Sequence, residues 1–483
     1  MTEPCDLSAV ELRQLIGRKE LSPVDLLVSC LRRIEAVNPV LNAITATAID
    51  RAQAEAKAAE QAVMTGAPLG PLHGLPIGIK DLNVTEGIRT TWGSLIYKDH
   101  VPDADERMVA SVRRAGAIIV GKTNTPEFGA GANTNNRVYG PTRNPFDPPR
   151  ICGGSSGGSA VALATSMLPT CTGSDTGGSL RIPAAFCGIV GFRPTPGLVA
   201  SERRPLGWNP LSVQGPMGRT VADTLLLLQA QVSDDLHDPL AAPVDPQDFA
   251  ALTPVDLSTL RVAVTEDFGG MLPLDPRIRA TFRERVALIR GAFKSCEERH
   301  PDMRDADEAF AIMRALGYLA AHKERYEKHR DLLGPNIIAN YEQGLGMSAA
   351  DVARGHVLQT EIYRSCLKFF EDADILISPT VSIPPFPVEQ RYCDEIDGRK
   401  LPTYFTWLAP TYFLTLTANP SISLPCGLEP TGTPFSIQVS ALPRRDKYLL
   451  DVAASLEALL ASDPRTARPV PDLEKVRAWK KGR

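Results

Sequence analysis

The sequence predicts an α/β fold. Two observations carry this. Short apolar runs of strand type, LPIGIK (75–80), AIIV (117–120) and Leu168 to Thr172, alternate with helical stretches at Asp105 to Ala115 and Ser156 to Ser166. A second group of strands, ILIS (375–378), ISL (422–424) and FSIQV (435–439), follows a largely helical stretch over 275–372. Strands alternating with helices imply stacked layers of both. With no internal repeat, low-complexity tract or evident linker, residues 1–483 read as one large domain carrying a helical insertion at 275–372. Pro243 to Pro254 is the one candidate boundary.

The elements follow from local signals. Ser8 with Glu11 forms a capping-box pattern ahead of Val10, Leu12, Leu15 and Ile16, which fall on helical spacing. Ser22-Pro23 opens a second helix and Asn38-Pro39 is expected to end it. The Ala/Glu/Lys-rich stretch from Ala43 to Val63 predicts a third, followed by a Gly/Pro-rich loop over Gly66 to Gly74. Residues 121–155, rich in Asn, Thr and Pro, read as loop, and Gly173 to Gly178 as a glycine-rich turn before a helix starting near Ser179. Thr220 with Asp223 caps the helix carrying Leu225 to Leu228, and an amphipathic helix closes the chain near 447–461.

Composition narrows the function. Apolar residues make up 43% and charged residues 22% of the 483, ordinary for a globular protein with a sizeable core. A formal net charge of −4 suggests no nucleic-acid partner. The nine cysteines are scattered, odd in number and without a CxxC pair, which reads as reduced thiols in a cytoplasmic protein. The start lacks a basic region and an apolar run, so no signal peptide is expected. The most apolar short run, Leu225 to Leu228, is far below the roughly 20 residues of a membrane span.

Two motifs match patterns whose context fails. GAIIVGKT (116–123) fits the phosphate-loop spacing, but its four middle residues, Ala-Ile-Ile-Val, are themselves a strand. GGSSGG (153–158) fits GxSxG around Ser155 and around Ser156, yet loop precedes it. The seven histidines show no arrangement suggesting a base: His73 precedes the segment, and the later ones sit in polar helical or loop settings. They also lack any metal-ligand spacing, so no metal site is expected.

Three other segments combine into chemistry. In GLPIGIKDL, Ile77 and Ile79 face one side of a strand and Gly78 and Lys80 the other. CGGSSGGSA supplies glycines and hydroxyls opening a helix. In GSDTGGSLRIPAAF, Gly177 and Gly178 precede Ser179 at an expected helix start, where consecutive amides favour negative charge. Acyl transfer needs such donors at its developing oxyanion. A lysine can act as base when burial lowers its pKa, and a serine between it and the nucleophile can relay the proton.

The run GGSSGGSAVALATSMLPTCTGSDTGGSLRIPA (153–184) resembles the signature of the amidase-signature family, and GLPIGIKD, GAIIVGKTNTPEFG, YGPTRNPFD, AAFCGIVGFRPT and VQGPMGRTVAD resemble its flanking segments, in the family's order. The close match covers about 70–225. The resemblance implies a large twisted mixed β-sheet with helices on both faces. It also implies a Ser–Ser–Lys triad of Ser179 as nucleophile, Ser155 as bridging serine after a cis Gly154–Ser155 bond, and Lys80 as base. It implies an oxyanion hole of the amides of Thr176, Gly177, Gly178 and Ser179. Ser156, Asp175 and Arg181 match positions that brace the loop, and Gly129 matches one that lines the acyl pocket in some relatives. The substrate is then a small-molecule amide, the chemistry needs no cofactor, and the many dimeric relatives make a homodimer an open expectation.

The match has departures. Cys171 stands where a smaller or hydroxylated residue is usual. Ile182 replaces the glutamine of SIRQP in tRNA-dependent transamidase subunits, and Leu82 replaces a common asparagine. The leading expectation is an amidase cleaving a carboxamide C–N bond. The alternatives are a glutaminase subunit of a tRNA-dependent amidotransferase and a catalytically silent scaffold of the same fold.

Overall fold

The computed structural model describes residues 3–479. Its strands, in chain order, are β1 (Ile44–Thr47), β2 (Pro76–Lys80), β3 (Ile118–Thr123), β4 (Asn135–Asn136), β5 (Gly140–Pro141), β6 (Thr170–Asp175), β7 (Val190–Arg193), β8 (Val213–Gly218), β9 (Arg261–Val264), β10 (Ser295–Glu298), β11 (Ile375–Pro379), β12 (Glu395–Ile396), β13 (Arg399–Lys400), β14 (Ser421–Leu428) and β15 (Pro434–Ser440). Eleven of them form one sheet in the order β1-β3-β2-β6-β8-β7-β14-β15-β11-β9-β10, and the other four pair as two small ribbons. β2 runs parallel to β3 and β6, and β9 parallel to β10 and β11; the remaining pairings within the large sheet are antiparallel. The α/β class and the mixed sheet are as expected.

Two-residue alternation divides the sheet between two apolar layers. Ile77 and Ile79 of β2, Ile119 of β3, and Ile375 and Ile377 of β11 enter one core; Ile118 and Val120 of β3 and Leu376 of β11 enter clusters on the opposite face. The helices covering them, in order, are α1 (Ala9–Gly17), α2 (Pro23–Leu41), α3 (Ile49–Thr65), α4 (Arg107–Arg114), α5 (Gly157–Ala164), α6 (Arg181–Cys187), α7 (Val221–Gln231), α8 (Pro276–Ile289), α9 (Ala306–His329), α10 (Pro335–Leu345), α11 (Ala349–Phe369), α12 (Ala409–Leu416), α13 (Asp446–Ala461) and α14 (Leu473–Ala478). Burying each large aliphatic side chain of these layers contributes about 1.5–3 kcal/mol.

The cap signals are borne out. Ser8 and Glu11 make both capping-box bonds, Ser22 caps α2, and Thr220 accepts from the amide of Asp223. Other expectations need correction. Residues 44–47 are strand, not the start of a helix: Ile44, Ala46 and Thr47 pair with β3, with a register shift at Thr45, and the Ala-rich pattern takes hold only from Ile49. Pro39 does not stop α2 at once. It lies in the last turn, where its missing N–H costs one helical bond, and the helix ends two residues later at Leu41, capped by Asn42 in the left-handed conformation. The stretch 275–372 is largely helical as expected, with the short β10 within it forming the sheet edge beside β9. β6 extends through Asp175, so the glycine turn is shorter than expected, and α6 starts at Arg181.

Candidate active site

Lys80 ends β2 and is fully buried. Its side chain leaves the sheet on the face opposite Ile77 and Ile79, beside the antiparallel-to-parallel junction at β6, where its amide donates to Thr172 Oγ1 at 3.0 Å. Nζ meets three hydroxyls: Ser155 Oγ at 2.8 Å, Ser156 Oγ at 2.8 Å and Ser174 Oγ at 2.9 Å. No carboxylate among the described residues bonds to it. Burial pulls its pKa down to about 7, and the charge of Asp175 opposes this only in part. A lysine in this setting is substantially neutral at physiological pH. Its lone pair can then receive a proton from one of the three hydroxyls.

Ser155 and Ser156 sit in the loop before α5, and the peptide bond Gly154–Ser155 is cis. Ser155 is 2% exposed. The amide of Ser156 donates to the carbonyl of Ser179 at 3.3 Å, tying the two loops together. The side-chain partner of both serines is Lys80, not a histidine, which removes the GxSxG reading. Gly129 closes the space above Ser155: its φ is +72°, and a Cβ there would stand 3.3 Å from Ser155 Oγ and 3.0 Å from Leu82 Cδ1.

Ser179 lies half-buried in the turn between β6 and α6. Asp175 holds that turn. Its carboxylate accepts from the amides of Gly178 (2.8 Å) and Leu180 (3.1 Å), from Arg181 Nε (3.1 Å) and Nη2 (3.0 Å), and from Arg193 Nη1 (3.2 Å). Burial works to raise the Asp175 pKa, but the guanidinium groups of Arg181 and Arg193 outweigh it and hold the carboxyl well below its usual range. Arg181 in turn reaches the carbonyl of Thr411 and Gln438 Oε1.

This bracing corrects one expectation. The Gly178 amide is committed to Asp175, and Gly178 is not on the cavity wall. The amides of Thr176, Gly177 and Ser179 have no protein acceptor among the described residues, and these three residues border the cavity. Three of the four expected amides are therefore without a protein acceptor, on residues that border the cavity.

The cavity has a volume of about 440 Å³. Ser155, Ser174, Thr176, Gly177, Ser179 and Gly129 line one end. Trp92, Phe128, Leu206, Leu211 and Leu408 add apolar wall. One face of α9 completes it with Phe310, Met313, Arg314, Gly317, Tyr318, Ala321, His322 and Arg325, at helical spacing. His322 thus lies in a different setting from the polar one expected. It is 5% exposed, packs against the rings of Phe128 and Tyr318, and burial pulls its pKa down to about 3, so it is uncharged.

Several site residues escaped sequence reasoning. Ser174 was legible in principle, since it lies two residues after Thr172 on the same strand face. Arg193 carried no signal beyond its place in GFRPT. The α9 wall is remote in sequence, and its spacing resembles that of any core-facing helix. The second buried lysine, Lys122 of GAIIVGKT, lies one residue before the end of β3 and bonds the carbonyl of Asn83 and Thr85 Oγ1, with burial lowering its pKa to about 8. It has no phosphate-loop geometry. Among the described residues no cluster of His, Cys, Asp or Glu is placed to hold a metal ion, and no helix is long and apolar enough to cross a membrane.

Residues 25–450 match the family model described as Amidase. The chain belongs to the amidase family. An acylamidase of Rhodococcus erythropolis is 32% identical over 458 residues, covering 94% of this chain and 95% of that one. A glutamyl-tRNA(Gln) amidotransferase subunit of Acidothermus cellulolyticus is 34% identical over 501 residues, covering 95% of each. The solved structure of a bacterial aryl acylamidase of the amidase signature enzymes superposes with a TM-score of 0.88 at 26% identity, covering 98% of this chain and 99% of that one. Hydrolysis of amide bonds is the activity class of this amidase.

Proposed function

We propose that the chain hydrolyses a small-molecule carboxamide through a Ser179 acyl-enzyme. The observation that carries this reading is the 2.8 Å contact between Lys80 Nζ and Ser155 Oγ in a fully buried site without a carboxylate partner. Neutral Lys80 accepts the Ser155 proton as Ser155 accepts that of Ser179. Ser179 Oγ adds to the carbonyl carbon, and the oxyanion is met by the amides of Thr176, Gly177 and Ser179. Collapse breaks the C–N bond. Ser155 protonates the departing amine and recovers its proton from Lys80, leaving the acyl-enzyme and a neutral lysine. Water then repeats the sequence and releases the carboxylic acid. Every step balances with these side chains and water, without a cofactor.

The site reads as one domain's product: residues 70–225 supply the chemistry and the 275–372 region supplies the α9 wall. An acyl or amine part with apolar or aryl character fits walls built from Trp92, Phe128, Phe310 and Met313. We place the protein in the cytoplasm, acting on a small molecule without nucleic acid, with a homodimer left to measurement.

The sequence identity to amidotransferase subunits favours one second reading, a glutaminase that works with partner subunits. Ile182, buried in the same apolar cluster as Ala185, Phe186 and Phe310, and Leu82 on the cavity wall argue for the free-standing amidase. The test is intact-mass detection of fluorophosphonate labelling. One adduct on the wild type that is lost in Ser179→Ala supports the mechanism. An adduct that survives moves the nucleophile elsewhere. No adduct on either protein points to a missing partner or to a silent scaffold.

A further inference from the structure

The cavity wall contains a buried positive charge without a counter-ion. Arg314 is 8% exposed and borders the cavity from α9. Nε donates to Asn340 Oδ1 at 3.1 Å, and Nη2 donates to the hydroxyls of Tyr318, at 3.3 Å, and Tyr404. The rings of Tyr318, Tyr404 and Phe405 lie 4.9, 5.4 and 5.3 Å from its Cζ. Neutral acceptors and aromatic faces therefore fix the guanidinium plane. No carboxylate pairs with it among the described residues, and Nη1 has no protein acceptor there. An arginine cannot shed its proton, so its charge stays buried without an opposite charge.

The rest of the cavity does not supply that anion. Its one acidic residue among those described, Glu106, is occupied by Asn83 Nδ2 at 2.5 Å, the amide of Val84 at 2.8 Å and Gln214 Nε2 at 3.1 Å. Arg203 and Arg325 also border the cavity, as does Arg204, whose charge is paired with the buried Asp238. Arg325 is held by Tyr97 and Phe128 in the same manner, by ring faces and a hydroxyl. The cavity is cationic between aromatic walls.

We infer that Arg314 binds a carboxylate carried by the amide substrate, and so sets its specificity. This rests on the amidase reading above. Position supports it. Phe310, one turn before Arg314, abuts the segment of Ser179, since a Cβ on Gly177 would stand 2.9 Å from Phe310 Cζ. One helical turn advances about 5.4 Å. The carboxylate is thus several bonds from the scissile carbonyl, on the acyl or the amine part.

The test uses two isosteric pairs: glutaryl-p-nitroanilide against its ω-carboxamide, and 4-acetamidobenzoate against 4-acetamidobenzamide. Binding is measured by titration calorimetry on the full-length Ser179→Ala protein, where neither member is consumed. In at least one pair the carboxylate is expected to bind at least about tenfold tighter, and the pair identifies which part carries it. Adding Arg314→Met should weaken the carboxylate member far more than the carboxamide and bring the two within about threefold. Adding Arg314→Lys instead should keep part of the preference, and it serves if the methionine variant does not fold. Equal binding in both pairs overturns the inference, as does a preference undiminished by Arg314→Met or by Arg314→Lys. Fluorophosphonate labelling of the wild type separates the two readings. Labelling without carboxylate preference overturns the anion site alone, and preference without labelling overturns the hydrolytic mechanism alone.

Discussion

Lys80 Nζ lies 2.8 Å from Ser155 Oγ, and the other two groups bonded to that nitrogen are also hydroxyls. An ammonium would normally find a carboxylate in such a place. Here the charge that acts on it, Asp175, is spent on two arginines. The lysine is left easy to deprotonate.

The first prediction follows from that ease. With the Lys80 pKa near 7, kcat/KM on any amide substrate should fall about tenfold per unit below pH 7 and level off above it. The neutral lysine is the active form, so activity rises with pH. A pH–rate profile checks this, and an optimum near pH 5 would sink it. Lys80→Met should lower kcat/KM by about 10³-fold or more across the range.

Ser174→Ala tests the third hydroxyl. Ser174 accepts a hydrogen bond from Lys80, which favours the charged form. Its loss should move the apparent pKa of the profile below that of the wild type, with kcat reduced less than about tenfold. An unmoved profile would show that Ser174 does not act on the lysine.

Asp175→Asn should damage the fold as well as the reaction. It leaves Arg181 and Arg193 buried without their anion, a change that costs about 3–5 kcal/mol. Thermal melts and chemical denaturation measure this. In the native protein the Asp175 carboxyl titrates below its ordinary 3.8, so its stabilisation is fully present above that pH and is lost only as pH falls through the lower folded value. Acid unfolding between pH 5 and 7 should therefore be unaffected by this group.

Gly129→Ala tests the roof over Ser155. The added Cβ meets Ser155 Oγ at 3.3 Å and Leu82 Cδ1 at 3.0 Å, from a backbone with positive φ. We expect kcat/KM to fall about 10–100-fold with the melting temperature changed little, and more for bulky acyl groups than for acetyl. Equal loss on all substrates would place the effect on the triad instead of the pocket.

Much of this was legible because neighbouring strands carry neighbouring motifs. β2 pairs with β6, so the segment ending in Lys80 and the segment leading to Ser179 meet by sheet pairing alone, and both announce themselves by glycine content and a polar residue at a strand end. Cap residues such as Ser8, Ser22 and Thr220 read directly because capping is a local interaction. What escaped depends on distant partners. The amide of Gly178 is free by its local sequence and is taken by Asp175 only in the folded turn. Residues 44–47 became strand through pairing with β3 in spite of an Ala-rich sequence next door. His322 and Arg314 sit on a helix whose pattern says only that one face is covered, not that the cover is a cavity.

The position of α9 has one further consequence. The bond-breaking groups Lys80, Ser155 and Ser179 come from residues 80 to 179, whereas another wall of the cavity comes from residues 310 to 325, which meet that stretch through Phe310 at Gly177, His322 at Phe128, and Arg325 at Tyr97 and Phe128. Diversity can accumulate on that helix without disturbing the reaction centre. A combinatorial library confined to its cavity-facing positions, with Phe310 kept, would explore new substrates in a background whose turnover chemistry is held constant.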